Sequence, residues 1–187
     1  MFKSKKKLLI IIILIIAIGA GIWFYFANNK SNEPIQTQTE DVSSVSDKDL
    51  ATIINDKKNY KSFNDALVVS GLNTGLQSGG PYTVLVPLNK AFDNLPDGFM
   101  ENLQKPENLE LLKGLINYHI IASKLKSSEL TDGQRIPTVN GAELTVKIKD
   151  GNVTFIDSKG TEALVVGANI EGSNGVIHEI DSVLIPQ

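Results

Sequence analysis

The chain has 187 residues, of which 42% are apolar and 21% charged, and it contains no cysteine. Its formal charge of -3 is unevenly spread: every charged side chain in the first 30 residues is a lysine (Lys3, Lys5, Lys6, Lys7, Lys30), whereas residues 31–187 carry 13 basic against 21 acidic side chains. The missing cysteines exclude thiol catalysis, disulfide scaffolds, lipobox attachment and thiolate zinc sites, and the acidic excess argues against a nucleic-acid partner.

Residues 1–7 read as a short basic tail. Leu8 to Ala27 follows as 20 residues without a charge, rich in Ile and Leu and closing on Trp23, Phe24, Tyr25 and Phe26. At about 1.5 Å per residue such a helix reaches about 30 Å, the thickness of a bilayer's hydrocarbon core. The lysines before it keep the tail cytoplasmic and send everything after Asn28 outside, with Trp23 and Tyr25 at the outer interface. The expected arrangement is a signal-anchor: one transmembrane helix at 8–27 held in the lipid bilayer, with the C-terminal part extracytoplasmic. A cleaved signal peptide is the competing reading and would leave a secreted domain. Its apolar region is usually shorter, about 7–15 residues, and ends at a small-x-small site, unlike Phe24-Tyr25-Phe26-Ala27.

Residues 28–46, NNKSNEPIQTQTEDVSSVS, are polar with scattered apolar positions and read as a flexible linker. Periodicity resumes in 47–187, a length suited to one domain. Leu50, Ile53 and Ile54 form the stripe of a short helix that Asp47 is placed to cap, and Tyr60, Phe63, Ala66 and Leu67 mark a second helix ended by Gly71. Tyr82–Val86 is a β-rich run stopped by Pro87, after which Asn89 can cap a helical turn. Leu95-Pro96-Asp97-Gly98 breaks the chain, and Pro106 opens a helix with Leu109, Leu112, Leu115 and Ile116 on one side. Leu144, Val146 and Ile148 alternate with polar residues up to the Asp150-Gly151 turn and Val153-Thr154-Phe155, a hairpin pattern. Ala163–Val166 and Val176–Ile185 supply further strands, with Gly172 and Gly175 at the turn between them. Early helices and late antiparallel strands define an α+β domain.

Catalytic patterns are absent from this sequence. Neither Gly75–Gly79 nor Gly172–Gly175 matches a nucleophile elbow, and there is no dinucleotide, phosphate-loop, zincin or EF-hand spacing. His119 and His178 are the only histidines and have no carboxylate cluster of metal-ligand spacing nearby. His178 shares a strand face with Val176 and Ile180 and reads as a buried histidine bonded to backbone. His119 ends the Pro106 helix, where an imidazole can satisfy late carbonyls. Lys124 and Lys126 make a small basic spot, and Asn152-Val153-Thr154 has the form of a glycosylation sequon inside the predicted hairpin.

Three stretches, taken in order, resemble landmarks of the fasciclin (FAS1) domain family: Tyr82–Phe92 (YTVLVPLNKAF), Leu111–His119 (LLKGLINYH), and Asn174–Asp181 (NGVIHEID) with Val183-Leu184-Ile185-Pro186. The resemblance spans about Leu50 to Pro186. It implies a FAS1-like β-sandwich or wedge with flanking helices, placed mostly on cell surfaces or in extracytoplasmic spaces and working in adhesion or in matrix or envelope binding, with no established catalytic machinery; no metal or cofactor is expected. It further implies that Pro87 and Asn89 shape the first-motif turn and that His178 and Asp181 lock the second motif against it. Tyr118 and His119 resemble a pair proposed to support integrin adhesion in animal members. Leu88 stands where the family usually has Thr, which removes a hydroxyl from the turn. The expected function is therefore a membrane-anchored extracytoplasmic module that binds a protein or an envelope or matrix polymer, the alternative being a binder or sensor of a small apolar or carbohydrate ligand.

Overall fold

The computed structural model describes residues 46–186, so the basic tail, the apolar segment Leu8–Ala27 and nearly all of the linker lie outside the described residues. Among the described residues no helix is long and apolar enough to cross a membrane.

The first helix, α1, spans Leu50–Asp56 and is capped by Asp49 rather than by Asp47, since Asp49 Oδ1 accepts the Thr52 N–H at 2.9 Å. Asp47 lies too far upstream to reach the orphan donors of the first turn. A 3₁₀ turn, Lys58–Tyr60, leads into α2, Lys61–Val69. Gly71, at φ +75°, reverses the chain after α2 while the Leu72 N–H reaches back to the Leu67 carbonyl, the left-handed stop that glycine accommodates. Helix α3, Asn73–Ser78, precedes strand β1, Tyr82–Pro87. Two short helices follow, α4 (Asn89–Phe92) and α5 (Phe99–Leu103), and then α6 (Leu109–Tyr118), preceded by a 3₁₀ turn that starts at Pro106. The remaining strands are β2 (Ile120–Ile121), β3 (Arg135–Pro137), β4 (Glu143–Lys149), β5 (Asn152–Ile156), β6 (Glu162–Gly172) and β7 (Gly175–Ile180). The strand expected over Val176–Ile185 thus stops at Ile180, and β6 runs well beyond Val166.

These strands form one seven-stranded sheet in the order β2-β1-β7-β6-β5-β4-β3, not the two facing sheets of a sandwich. Only β1 and β7 run parallel; the other neighbours are antiparallel. The sheet rolls until its ends meet, for just past β3 the Val139 N–H donates to the Ile120 carbonyl of β2 at 2.8 Å. Register shifts in β6 around Gly167 bend that long strand, as bulges do where a sheet must curve. At the β4–β5 turn both Asp150 (φ +52°) and Gly151 (φ +79°) are left-handed, the two-residue geometry that matches strand twist.

Two apolar cores result. Leu85, Ile121, Ile136, Leu144, Val146, Phe155, Ile180 and Leu184 fill the inside of the rolled sheet. Leu50, Ile54, Phe63, Leu67, Leu112, Ile116, Val84, Val86 and Ile177 pack the helices against its outside. Strand β1 therefore sits between them, buried on both faces, which explains why its apolar run does not alternate.

Asn174, in the β6–β7 turn, ties these layers together. Its Oδ1 accepts the Leu50 N–H at 2.9 Å, and its Nδ2 donates to the carbonyls of Leu76 (2.6 Å) and Gly79 (2.8 Å). One side chain thus satisfies the start of α1, the end of α3 and the loop before β1. Asn174→Ala leaves one donor and two acceptors without partners and is expected to cost about 2–3 kcal/mol. Asn174→Asp, which keeps only the acceptor and faces two carbonyls, is expected to be at least as harmful. Urea unfolding checks both, and unchanged midpoints would contradict this role.

Candidate functional site

The residues that the sequence singles out lie along β1, the end of α6 and β7. Tyr118 is fully buried and its hydroxyl donates to the Glu143 carbonyl at 3.3 Å. His119 is 1% exposed. Its Nδ1 donates to the Leu115 carbonyl at 2.9 Å, its Nε2 accepts the Leu184 N–H at 3.2 Å, and the ring edge meets Phe63 with centroids 5.8 Å apart. The imidazole therefore joins α6, α2 and the C-terminal segment. Neither side chain of the Tyr118-His119 pair reaches the surface, so a partner-contact role for the pair is corrected to an internal one.

His178 repeats the arrangement. Its Nε2 donates to the Leu125 carbonyl at 2.9 Å, and its Nδ1 accepts the Asn169 N–H at 3.4 Å. The neighbouring Thr83 on β1 completes the tie, accepting the Leu125 N–H at 2.9 Å and donating to the Ser123 carbonyl at 2.6 Å. Asn169, left-handed at φ +60° on the bulged part of β6, binds the Ser127 N–H and hydroxyl. Residues 123–127 are thereby fastened across β1, β7 and β6. Lys124 and Lys126, expected as a small basic spot, both turn onto the buried Glu171 at 2.6 and 2.7 Å, and these bonds hold its carboxyl below the usual carboxylate range.

Asp181 and Asn89 hold different places from those the resemblance implies. Asp181 Oδ1 accepts the Leu164 N–H at 2.9 Å, so it fastens β7 to β6 and not to the Pro87 turn. What joins that turn to β7 is backbone: Pro87 pairs with Ile180, and the Leu88 N–H donates to the Ile180 carbonyl at 3.0 Å. Asn89 does not cap its own helix. Its Oδ1 accepts the Ser62 N–H and its Nδ2 donates to the Lys58 carbonyl, so it bridges the junction between the 3₁₀ turn and α2. Leu88, lacking the hydroxyl of the usual Thr, packs against the helical core instead.

A polar group that sequence reasoning missed is Glu179, on the β7 face opposite His178. It accepts from the buried Tyr60 hydroxyl and pairs with Lys57 at 3.4 Å. Burial, and then the Glu179 carboxylate, push the Tyr60 phenol well above its ordinary range. A Cβ at Gly167 would fall within 2.1 Å of Glu179 Oε2, so the bulge glycine leaves the room this carboxylate occupies. Every buried side-chain nitrogen or oxygen among the described residues has a partner. Among the same residues, no group of three or more His, Asp or Glu is placed to hold a metal ion.

The surface of the described residues carries recesses. One of about 460 Å³ lies between α2, α4 and α5, one of about 350 Å³ lies beside Arg135 and Glu143, and one of about 360 Å³ lies beside Gly80 and Ser173.

A rolled mixed sheet with helices packed on its outside, and three motifs meeting at β1 and β7, defines a FAS1-like fold. The profile of the Fasciclin domain matches residues 58–186, and the chain belongs to that family. It is 38% identical over 121 residues to Protein sll1483 of Synechocystis sp., covering 65% of this chain and 64% of that protein. It is 30% identical over 155 residues to transforming growth factor-beta-induced protein ig-h3 of Sus scrofa, covering 79% of this chain and 22% of the other. It is 36% identical over 109 residues to the cell surface glycolipoprotein MPB83 of Mycobacterium bovis, covering 58% and 46%. A solved FAS1 domain pair from the insect cell adhesion molecule fasciclin I superposes with a TM-score of 0.67 at 17% identity, over 75% of this chain and 52% of that one. The chain therefore spans less than two thirds of the length of each of these proteins.

Both histidines are held neutral. Burial, only partly offset by the bond to the Leu115 carbonyl, pushes His119 down from 6.5 to about 4, and burial likewise lowers His178. As the pH falls below 6.5 the unfolded chain takes up protons that the folded one refuses, so stability is full above that value and declines towards pH 4. Between pH 7.5 and 5, above the range in which Glu171 titrates, His119 alone should remove about 2 kcal/mol. His119→Gln should start from a lower Tm at pH 7.5 and fall less over that interval. An equal fall in both proteins would contradict the assignment. His178→Ala is expected to cost about 1–3 kcal/mol by orphaning the Leu125 carbonyl and the Asn169 N–H, and an unchanged unfolding curve would count against it.

Proposed function

We propose that the chain is a membrane-anchored, extracytoplasmic FAS1 module that binds a protein or an envelope or matrix polymer through its outer surface and catalyses no reaction. The observation that carries this reading is where the motif residues spend their hydrogen bonds. Tyr118, His119, His178 and Asp181 are all bonded to the protein's own backbone, so partner contact falls to the exterior. Two named likenesses agree with a surface role, one a cell surface glycolipoprotein and the other an insect cell adhesion molecule. The apolar run Leu8–Ala27, with lysines only before it until Lys30, supports tethering through the bilayer with the domain outside.

A small apolar ligand would need an enclosed apolar cavity. The recess between α2, α4 and α5 is instead lined by Asp65, Asp93, Asp97 and Glu101 together with a few apolar side chains, which disfavours that alternative.

Two measurements test the proposal. The full-length chain is expected in membrane fractions, with its domain removed by protease added to intact cells. Recovery only as a soluble chain beginning after Ala27 would overturn the anchor. Crosslinking on intact cells is expected to capture a defined surface protein or polymer, and capture of neither under conditions that crosslink a control surface protein would contradict the binding role.

A further inference from the structure

We infer that the recess between α2, α4 and α5 is the docking surface of this module, and that its occupant is a lysine- or arginine-bearing amphipathic peptide segment of a partner protein. The inference rests on the binding role proposed above and gives it a place and a chemistry.

The recess combines two kinds of lining. Phe92, Leu95 and Met100 pack on the helical core yet keep part of their surface in the recess, giving it an apolar floor. Asp93, Asp97 and Glu101 stand around that floor, Asp65 forms part of the α2 wall, and among the described residues no lysine or arginine lines the recess. Asp65 is paired with Lys61; the other three are exposed and have no partner among the described residues.

What distinguishes the recess is that three such carboxylates gather there. Most carboxylates elsewhere are spent internally: Asp56 on Lys48, Glu110 on Lys113, Glu143 on Arg135, Glu162 on Lys147, and Glu171 on Lys124 and Lys126. Asp49, Asp132, Asp157 and Asp181 accept backbone N–H groups. Among the described residues, the carboxylates that take no side-chain hydrogen bond or ion pair are Asp47, Asp93, Asp97, Glu101, Glu107 and Asp150, and half of these gather at one apolar-floored recess. The complement of this surface is a segment that offers cations to the rim and apolar side chains to the floor.

Its position suits docking. Strand β1 begins at Tyr82, whose N–H donates to the Asn174 carbonyl. The same end holds the start of the described chain, where the Ser46 N–H meets the Glu171 carbonyl and the Lys48 carbonyl accepts the Ser173 N–H. Strand β1 ends at Pro87, and α4 then carries Phe92 and Asp93 into the recess. The recess is thus displaced by the length of β1, roughly 20 Å at about 3.3 Å per residue, from the end at which the tethering linker joins.

The test uses the full chain in phosphatidylcholine nanodiscs and a fluorescein-labelled lysine–leucine peptide followed by anisotropy, with empty discs as the blank. The variant Asp93→Asn/Asp97→Asn/Glu101→Gln is expected to weaken binding at least about tenfold, whereas Asp47→Asn/Glu107→Gln/Asp150→Asn, which removes the same charge elsewhere, changes it less than about twofold. A lysine–serine peptide of equal charge is expected to bind at least about fivefold more weakly than the lysine–leucine peptide. Equal losses in the two variants, equal binding of the two peptides, or no binding to the unaltered protein would each overturn the proposal. Crosslinking on cells separates its failure from that of the broader role. If the recess variant captures the same partner in the same yield as the unaltered protein, the binding role stands and the recess assignment falls.

Discussion

The structure depends on one long-range pairing, that of β1 with β7. These strands run parallel in register from Tyr82 opposite Gly175 to Pro87 opposite Ile180, and parallel neighbours cannot be joined by a tight turn. Everything between them, α4 to α6 and β2 to β6, is therefore the crossover that the pairing must close. Glycine is required where the pairing begins: a Cβ at Gly175 would fall 2.1 Å from the Tyr82 carbonyl oxygen. The same two strands divide the protein into its cores, sending Val84, Val86 and Ile177 outward to the helices and Leu85 and Ile180 into the rolled sheet.

Polar side chains then fix the layers at either end of that ladder. Asn174 holds α1 and α3 at its start, and the Leu88 N–H seals its finish. The two histidines act as neutral crosslinks beside it. Each spends one nitrogen as a donor and the other as an acceptor, so a single tautomer satisfies both bonds and the imidazolium satisfies only one. Acid sensitivity is thus a by-product of how the fold is tied. The carboxylates divide too: Glu171 and Glu179 are spent on interior bonds, while Asp93, Asp97 and Glu101 stay exposed.

Much of this was legible in the sequence wherever the determining contacts are local. The β4–β5 hairpin was readable because Leu144, Val146 and Ile148 alternate up to Asp150-Gly151, and α6 because Pro106 starts a leucine stripe that ends at His119. The His119 bond to a late helical carbonyl was readable from its place at a helix end. What stayed hidden is held by distant partners. Asn174 bonds to Leu50, Leu76 and Gly79, each about 100 residues away in the chain, and no spacing rule announces that. Asn89 satisfies a local capping rule yet is spent on Ser62 and Lys58. Strands β2 and β3 have too few residues for any period to show, and they exist because the rolled sheet supplies their neighbours. The acidic recess is assembled from α2 and the α4–α5 segment, so its charges are dispersed in the sequence and gathered only by folding.

If the parallel ladder is the constraint on which the other contacts rest, its amides must open only when the whole domain unfolds. Native-state hydrogen exchange of the full chain tests this most directly. The account predicts that the amides of Val84–Val86 and Val176–Ile180 exchange last, with opening free energies equal to that of global unfolding. Exchange of these amides ahead of those in the β4–β5 hairpin or in α6 would contradict it.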